Sequence, residues 1–566
     1  MEKGAWAYAA RMTKLLALTA AFAVSASLYA QTQPATESLD LATIARIRDE
    51  GLTRSHVMEY ASGLFDGVGA RLTGSPEFER GAQWCVAQLK HAGVADAHTE
   101  SWGDFGMAWT QIGTSLLLTS PSNATLLAQA TPWSPATNGE VSASVMLVPE
   151  MHNESEFAAW KGKLAGKIIL YGDAPAVDPN VKPFIVPVEK SALDTIAAFP
   201  LEASASAAAG DERLRQLLAR LTFGEKVAKF FADEHAVAAL RTNGEASMFH
   251  DDTSSSFGWY AYQKEHKQAI PSAVVSPDGY GRMARLVAHG VPVTVKLNIQ
   301  TKFGADHVDG ENVVGDIAGT DPTLKDQVVM IGGHLDSWIS GTGATDNGAG
   351  SIIALEAMRI LKTLGLQPRR TIRIGLWGGE EQGIFGSLGY VNSHLATVGY
   401  STDPKMKDVP LFVQSPVSIT PKPDASKFDV YFNIDNGGGR LLGIYGESNS
   451  AAAHVFEQWA APVKDLGFGT VTLRHTGSTD HVNFDAVGLP GFQFVQDRRD
   501  YGSRTHHTNL DTYERLSEPD LKQAATILAI FAWNASQRDA MFPRKSMPDP
   551  AAIRKDEQPL DGVFTK

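Results

Sequence analysis

The clearest hydrophobic pattern lies in the second half of the chain, where short apolar runs alternate with stretches of helical period. Val328-Val329-Met330-Ile331 is apolar at every position, as expected for a strand covered on both faces. Ile352, Leu355, Met358 and Leu361 then recur at helical spacing and predict an amphipathic helix over 352–361. Further strands are expected at Thr371–Trp377, Val430–Ile434 and Phe492–Val495. From about residue 291 the order is strand, helix, strand, helix. That order predicts an α/β fold with a mixed, largely parallel sheet flanked by helices.

The first half reads differently. Residues from about 40 to 115 look helical at first, with a pause at 69–76, and Cys85 sits in a helical stretch over 81–89 as a packed small residue. Between about 120 and 288, β-like runs at 145–148 and 167–171 stand among turn residues. An Ala-rich patch follows at 203–209, with a helical excursion at 211–233. A separate β-rich lobe is expected there. The expected division is a signal peptide over 1–30, a first catalytic part over 40–118, an inserted lobe over 119–288, a second catalytic part over 289–540 and a peripheral tail over 541–566. The stretch 395–427 is long for a connection and reads as an added loop or lid.

Composition narrows the setting. Arg11 and Lys14 precede an apolar, Ala-rich stretch from Leu15 to Leu28, and Ala30 precedes a polar run. This is the pattern of a secretory leader, with an apolar core short for a membrane span. An exported protein, periplasmic or secreted and without a membrane span once the leader is removed, is expected. A net charge of -13 argues against a nucleic-acid or anionic-membrane partner. Cys85 is the single cysteine, which excludes an intramolecular disulfide and a cysteine-based zinc site.

The candidate chemistry sits where open α/β sheets bind ligands, beyond the carboxyl ends of the strands. His334 follows the 328–331 run, Glu380-Glu381 follows 371–377, Asp435 follows 430–434, and His507 lies in a loop after 492–495. Asp346 comes just before the 352–361 helix, where its alternative role is an N-cap. Three carboxylates and two imidazoles suit zinc or another borderline divalent ion. A carboxylate has two oxygens, so these five ligands serve two cations if Asp346 bridges them. Asp336 is placed to accept the second imidazole N–H of His334, and Glu380 is the candidate general base. The sequence carries no His-Glu-x-x-His, Gly-x-Ser-x-Gly or P-loop signature.

In this order, His334-Leu335-Asp336, Asp346-Asn347-Gly348-Ala349-Gly350, Glu380-Glu381, Asn433-Ile434-Asp435 and His507-Thr508-Asn509-Leu510-Asp511-Thr512 resemble the M28 family of zinc exopeptidases. Within the family the chain resembles the carboxypeptidase Q (plasma glutamate carboxypeptidase) type, over roughly 40–540. The resemblance implies two Zn2+ ions: one on His334 and Asp435, the other on Glu381 and His507, with Asp346 bridging and Glu380 as base. It selects His507 over His506 and places His506 at the substrate. Gly477-Ser478-Thr479-Asp480-His481 resembles a further segment near the substrate, in which Asp480 is the candidate acceptor for a substrate ammonium. Segments 166–172 and 270–275 resemble parts of a protease-associated domain. The implied activity is hydrolysis of short peptides as an aminopeptidase or dipeptidase. The alternatives are a carboxypeptidase using Arg440, Arg474 or Arg504, a single-zinc glutaminyl cyclase, and a non-catalytic receptor-like protein. Short peptides are the expected partners, and a homodimer is left open.

Overall fold

The computed structural model describes residues 36–174, 185–186, 188–198, 222–252, 255–402, 409–411, 414 and 416–547. The expected leader, the Ala-rich patch and the last part of the tail lie outside the described residues. Of the unit that ends at Leu39, the described residues 36–39 hold no helix or strand. The helices and sheets of the fold lie in the unit that starts at Asp40.

Among the described residues its main sheet has eight strands. Their order is His98–Gly106, Val308–Ile317, Thr371–Trp377, Val328–His334, Phe428–Asn433, Gly491–Gln496, Leu441–Tyr445 and Thr470–Thr472. Val328–His334 runs parallel to both Thr371–Trp377 and Phe428–Asn433, and the latter runs parallel to Gly491–Gln496. The outer pairs toward His98–Gly106, and the pair of Leu441–Tyr445 with Gly491–Gln496, are antiparallel. The fold is therefore α/β with a mixed, largely parallel sheet.

Successive strand side chains point to opposite faces, and both faces are covered. Phe432 packs against Phe456, Trp459, Phe531 and Phe542 on one side. Its neighbour Tyr431 meets Trp377 and Phe484 on the other. Helices Ala349–Thr363, Leu41–Thr53 and Glu518–Gln537 pack together over the sheet. Ser75 begins the helix Pro76–His91 as its N-cap, accepting the Phe78 N–H, with a proline in the first turn.

The helical reading of the N-terminal part ends at His91, after which His98–Gly106 and Trp109–Ser120 are strands. Trp109–Ser120 and Thr294–Phe303 pair along their whole length and belong to a second sheet, so the β-rich lobe extends beyond both ends of 119–288. In its strand Ile168–Tyr171, Ile168 and Leu170 enter a core with Tyr280 and Met283 of helix Pro277–Ala288. Ile169 and Tyr171 enter another core with Val227 and Phe231 of the 222–233 helix. Lobe and main sheet share an aromatic cluster in which Phe105, Trp109, Trp133 and Tyr262 meet Trp338. The expected lid contains a short antiparallel pair, Ala396–Gly399 with Ser418–Pro421.

The tail is not peripheral as far as it is described. Phe542 is buried among Phe456, Trp459 and Phe492, and its N–H donates to Asp429 Oδ1 at 2.7 Å. Lys545 pairs with Asp485 at 2.6 Å. Proline and charge made this segment look external, but one aromatic anchor outweighs them. Phe542→Ala should therefore cost about 3–5 kcal/mol of unfolding free energy, as for other buried aromatic truncations. Urea unfolding measures it, and a loss under about 1 kcal/mol would place the tail off the core.

Candidate metal centre

Three neighbouring parallel strands end at one place. His334 is the last residue of its strand, Gly378-Gly379 carries the chain from Trp377 into Glu380, and Asp435 follows Asn433 by two residues. Adjacent strands lie about 4.8 Å apart, so side chains leaving these ends meet. Gly379 has φ +71°, a left-handed conformation that turns the two glutamates back over the sheet edge.

Asp346 does not cap the helix that follows it. Asn347 does that work, its Oδ1 accepting the Gly350 N–H at 3.0 Å while its amide donates to Ile434 O at 2.7 Å. Gly350 permits this approach, because a Cβ there would lie 2.3 Å from Ile434 O. The Asp346 carboxylate is left to face two imidazoles. Its Oδ1 is 3.5 Å from His334 Nε2 and its Oδ2 is 3.3 Å from His507 Nε2. Glu381 Oε2 lies 3.0 Å from His507 Nε2, and Asp435 Oδ2 lies 3.7 Å from His334 Nε2. All five expected ligands converge, with Asp346 between two groups. Glu380 Oε2 is 3.8 Å from His334 Nε2, and a tenth of its side chain is exposed.

This cluster is electrically unbalanced. His334 Nε2, Asp346 Oδ2, Glu381 Oε1 and Asp435 Oδ1 are buried, with no hydrogen-bond partner among the described residues. Native proteins leave few such atoms unsatisfied. Burial pushes the Glu381 carboxyl up to about 8, helped by Asp346, and raises Glu380 well above the usual carboxylate range. Burial alone would lower His334 and His507. The Glu380 and Asp435 carboxylates around the first, and Glu381 and Asp252 around the second, raise both instead. Nitrogen and oxygen donors converging with orphaned atoms fit a pair of borderline divalent cations such as zinc.

The surrounding shell differs from expectation in two places. The Nδ1 of His334 faces the main-chain carbonyl of Asp336 at 3.1 Å, closer than that residue's carboxylate at 3.5 Å. The wholly buried Asp336 carboxylate needs donors, and the nearest are the N–H groups of Glu380 and Glu381 and the Thr73 hydroxyl. Asp336 therefore grips the turn that carries both glutamates. Asp480 is also wholly buried, accepting from Ser387 Oγ at 2.5 Å, and burial raises it to about 7. A carboxyl so placed is sealed from solvent. His506 stacks on His507 at 3.8 Å with 46% of its side chain exposed, so it does face the cleft.

Three residues escaped the sequence reading. Asp511 accepts the N–H groups of Thr345 and Asp346 at 2.7 and 3.0 Å and holds the bridging position from behind. Arg71, wholly buried, donates to the carbonyls of Gly69, Leu335, Thr342 and Gly343 and locks the loop after His334. Asp252, from the lobe, lies 3.0 Å from His507 Nδ1. Only Asp511 left a trace, inside the quoted motif that starts at His507. A cavity of about 730 Å3 opens beside Glu381, His506 and His507, with Arg241, Tyr171, Phe257, Trp259 and Trp338 also in its wall.

Residues 312–532, which contain every candidate ligand, match the model of peptidase family M28. The chain is 28% identical over 319 residues to human carboxypeptidase Q, covering 56% of this chain and 61% of that protein. It thus spans about three fifths of the length of that curated relative. The solved structure of an M28 peptidase precursor from Shewanella amazonensis SB2B is similar with a TM-score of 0.60 at 21% identity, over 90% of this chain and 99% of that one. A zinc aminopeptidase from Bacillus subtilis gives a TM-score of 0.50 at 19% identity, over 86% and 97%. These two likenesses concern the fold. The matched region and the curated relative agree in that residues 312–532 are similar to peptidase family M28.

Proposed function

We propose that the chain is an exported di-zinc exopeptidase acting on short peptides. The observation that carries this reading is the convergence of orphaned, buried ligand atoms on both sides of Asp346. His334 and Asp435 would hold one ion, Glu381 and His507 the other, and Asp346 both. Two zinc ions there would supply Lewis-acid activation of a water and of the substrate carbonyl. Glu380, close to the cluster yet outside the five-ligand set, takes the proton of the attacking water and passes it to the leaving amine. His506 donates to the oxyanion from the exposed side of the cleft. Asp336 keeps Glu380 and Glu381 in register through their N–H groups.

Which end of the peptide is read follows from what lines the cleft. The buried position of Asp480 does not suit an ammonium acceptor. Arg440 is paired with Asp520, Arg504 with Glu245, and Arg474 donates to Ala198 O, so these three arginines are engaged elsewhere. Arg241 donates to Ser256 O at 2.8 Å and lies over Tyr171 and Phe257, but it does so in the wall of the cavity beside Glu381 and His507, and that position favours a second reading in which the substrate carboxylate is also recognised. A dipeptidase would use both ends.

A panel of free, N-blocked and C-amidated short peptides, with and without zinc, separates these readings. Zinc-dependent cleavage abolished by either block is expected for a dipeptidase. Loss on N-blocking alone indicates an aminopeptidase, and loss on amidation alone a carboxypeptidase. Conversion of an N-terminal glutamine peptide with loss of ammonia, and no cleavage, would replace the proposal with a cyclase.

Glu380→Gln should lower kcat by about 10²–10⁴ while zinc content stays at wild-type level. Near-normal turnover would remove Glu380 from the proton-transfer role.

The pH response has a definite sign. Glu381 titrates near 4.5 in the unfolded chain and at about 8 in the zinc-free fold. In that window the fold holds a proton that the unfolded chain has lost, so stability falls as pH rises. The raised His334 and His507 act the same way, their contribution fading as pH climbs above the imidazole's ordinary 6.5. Zinc displaces these protons, so its affinity rises with pH. The Tm of zinc-stripped protein should fall between about pH 5 and about pH 8, while the upward shift produced by zinc grows. A zinc-free Tm that climbs through the same window would contradict a proton-holding cluster.

A further inference from the structure

Between Glu245 and Asp252 the inserted lobe runs alongside the loop that carries His507. Glu245 pairs with Arg504 at one end. Asn509 donates its side-chain amide to Ser247 O at 3.1 Å, and its Oδ1 accepts the Phe249 N–H at 2.9 Å. The Asn509 N–H donates to Phe249 O at 3.2 Å, and His250 bridges Thr508 in antiparallel fashion. The Asp251 N–H donates to the main-chain carbonyl of His507 at 2.8 Å. This seam delivers Asp252 to the ring of His507, with Oδ2 3.0 Å from Nδ1. The Nε2 on the opposite side of that ring faces Glu381 and Asp346.

We propose that Asp252, supplied by the lobe, is a positioning residue that fixes the tautomer and ring plane of His507 for metal binding. The inference rests on the di-zinc reading above. A carboxylate on Nδ1 draws the ring proton to that side and leaves the Nε2 lone pair aimed between Glu381 and Asp346. The pair is no solvated surface contact, since Asp252 and His507 have side chains only 17% and 20% exposed. The two histidines are then held differently. His334 is oriented from within the main domain by the Asp336 carbonyl, whereas His507 is oriented across the junction by the lobe. The lobe is part of the metal centre and does more than shape access to it.

The test uses the full mature chain, stripped of metal and titrated with zinc by calorimetry, with Co2+ absorption as a second readout. Wild type is expected to bind two ions. Asp252→Asn should weaken one of them about 10–100-fold, leave the other unchanged and alter the Co2+ spectrum, and Asp252→Glu should restore part of the loss. Glu245→Gln, which removes the ion pair with Arg504 at the end of the seam but leaves its backbone bonds and Asp252 in place, should keep both ions near wild-type affinity. Unchanged binding in Asp252→Asn overturns the proposal. So does an equal loss at both sites, or an equal loss in Glu245→Gln, because either would report docking and not orientation. If wild type itself binds fewer than two ions, the di-zinc reading fails first and this inference falls with it.

Discussion

The constraint on which the rest of the site depends is the burial of too many carboxylates at one sheet edge. Asp336, Asp346, Glu381, Asp435, Asp480 and Asp511 are all buried there. A buried carboxylate left unpaired costs several kcal/mol, so each needs a partner. Asp336 and Asp511 find theirs in main-chain N–H groups and threonine hydroxyls, and Asp480 in Ser387. The nearby cation, Arg71, is unavailable because its donors go to four carbonyls. Asp346, Glu381, Asp435 and the second oxygen of Asp480 keep atoms with no hydrogen-bond partner among the described residues. The proposed divalent cations would resolve that imbalance and would explain why so polar a cluster can sit at the end of an apolar sheet.

What the sequence made legible follows from the same geometry. Strands such as Val328–His334 and Phe428–Asn433 are covered on both faces, so their apolar runs are continuous, and the residue after each run stands out. His334, Glu380, Glu381 and Asp435 were readable for that reason. His98–Gly106 is an edge strand with polar, half-exposed positions, and it carries no periodic signal. Phe542 is one aromatic residue among prolines and charges, too little for a pattern to register. Asp336 is legible beside His334, its carboxylate 3.5 Å from Nδ1, but its bonds to Thr73 and to the Glu380 N–H are not, since only the fold brings those donors within reach.

Asp252 marks where reading along the chain stops. Asp251-Asp252 resembles any acidic turn, and its meaning depends on a loop some 255 residues away in sequence. The chain crosses into the lobe that carries it where the Ala108 N–H donates to Ala305 O and the Gly304 N–H donates to Ala108 O. One such backbone pair resists little rotation. The pose of the lobe is set instead by the aromatic cluster around Trp133 and Trp338, and by the seam from Glu245 to Asp252.

This arrangement limits what the cleft can admit. Widening it by swinging the lobe would pull Asp252 from His507 and loosen a proposed metal ligand as the substrate arrives. Productive binding must then occur with the lobe in place, inside the existing cavity of about 730 Å3. Pockets of that size enclose a small, mostly buried ligand. Under the proposed function, the contacts that orient His507 would therefore also select against large substrates and tie the geometry of the site to short peptides.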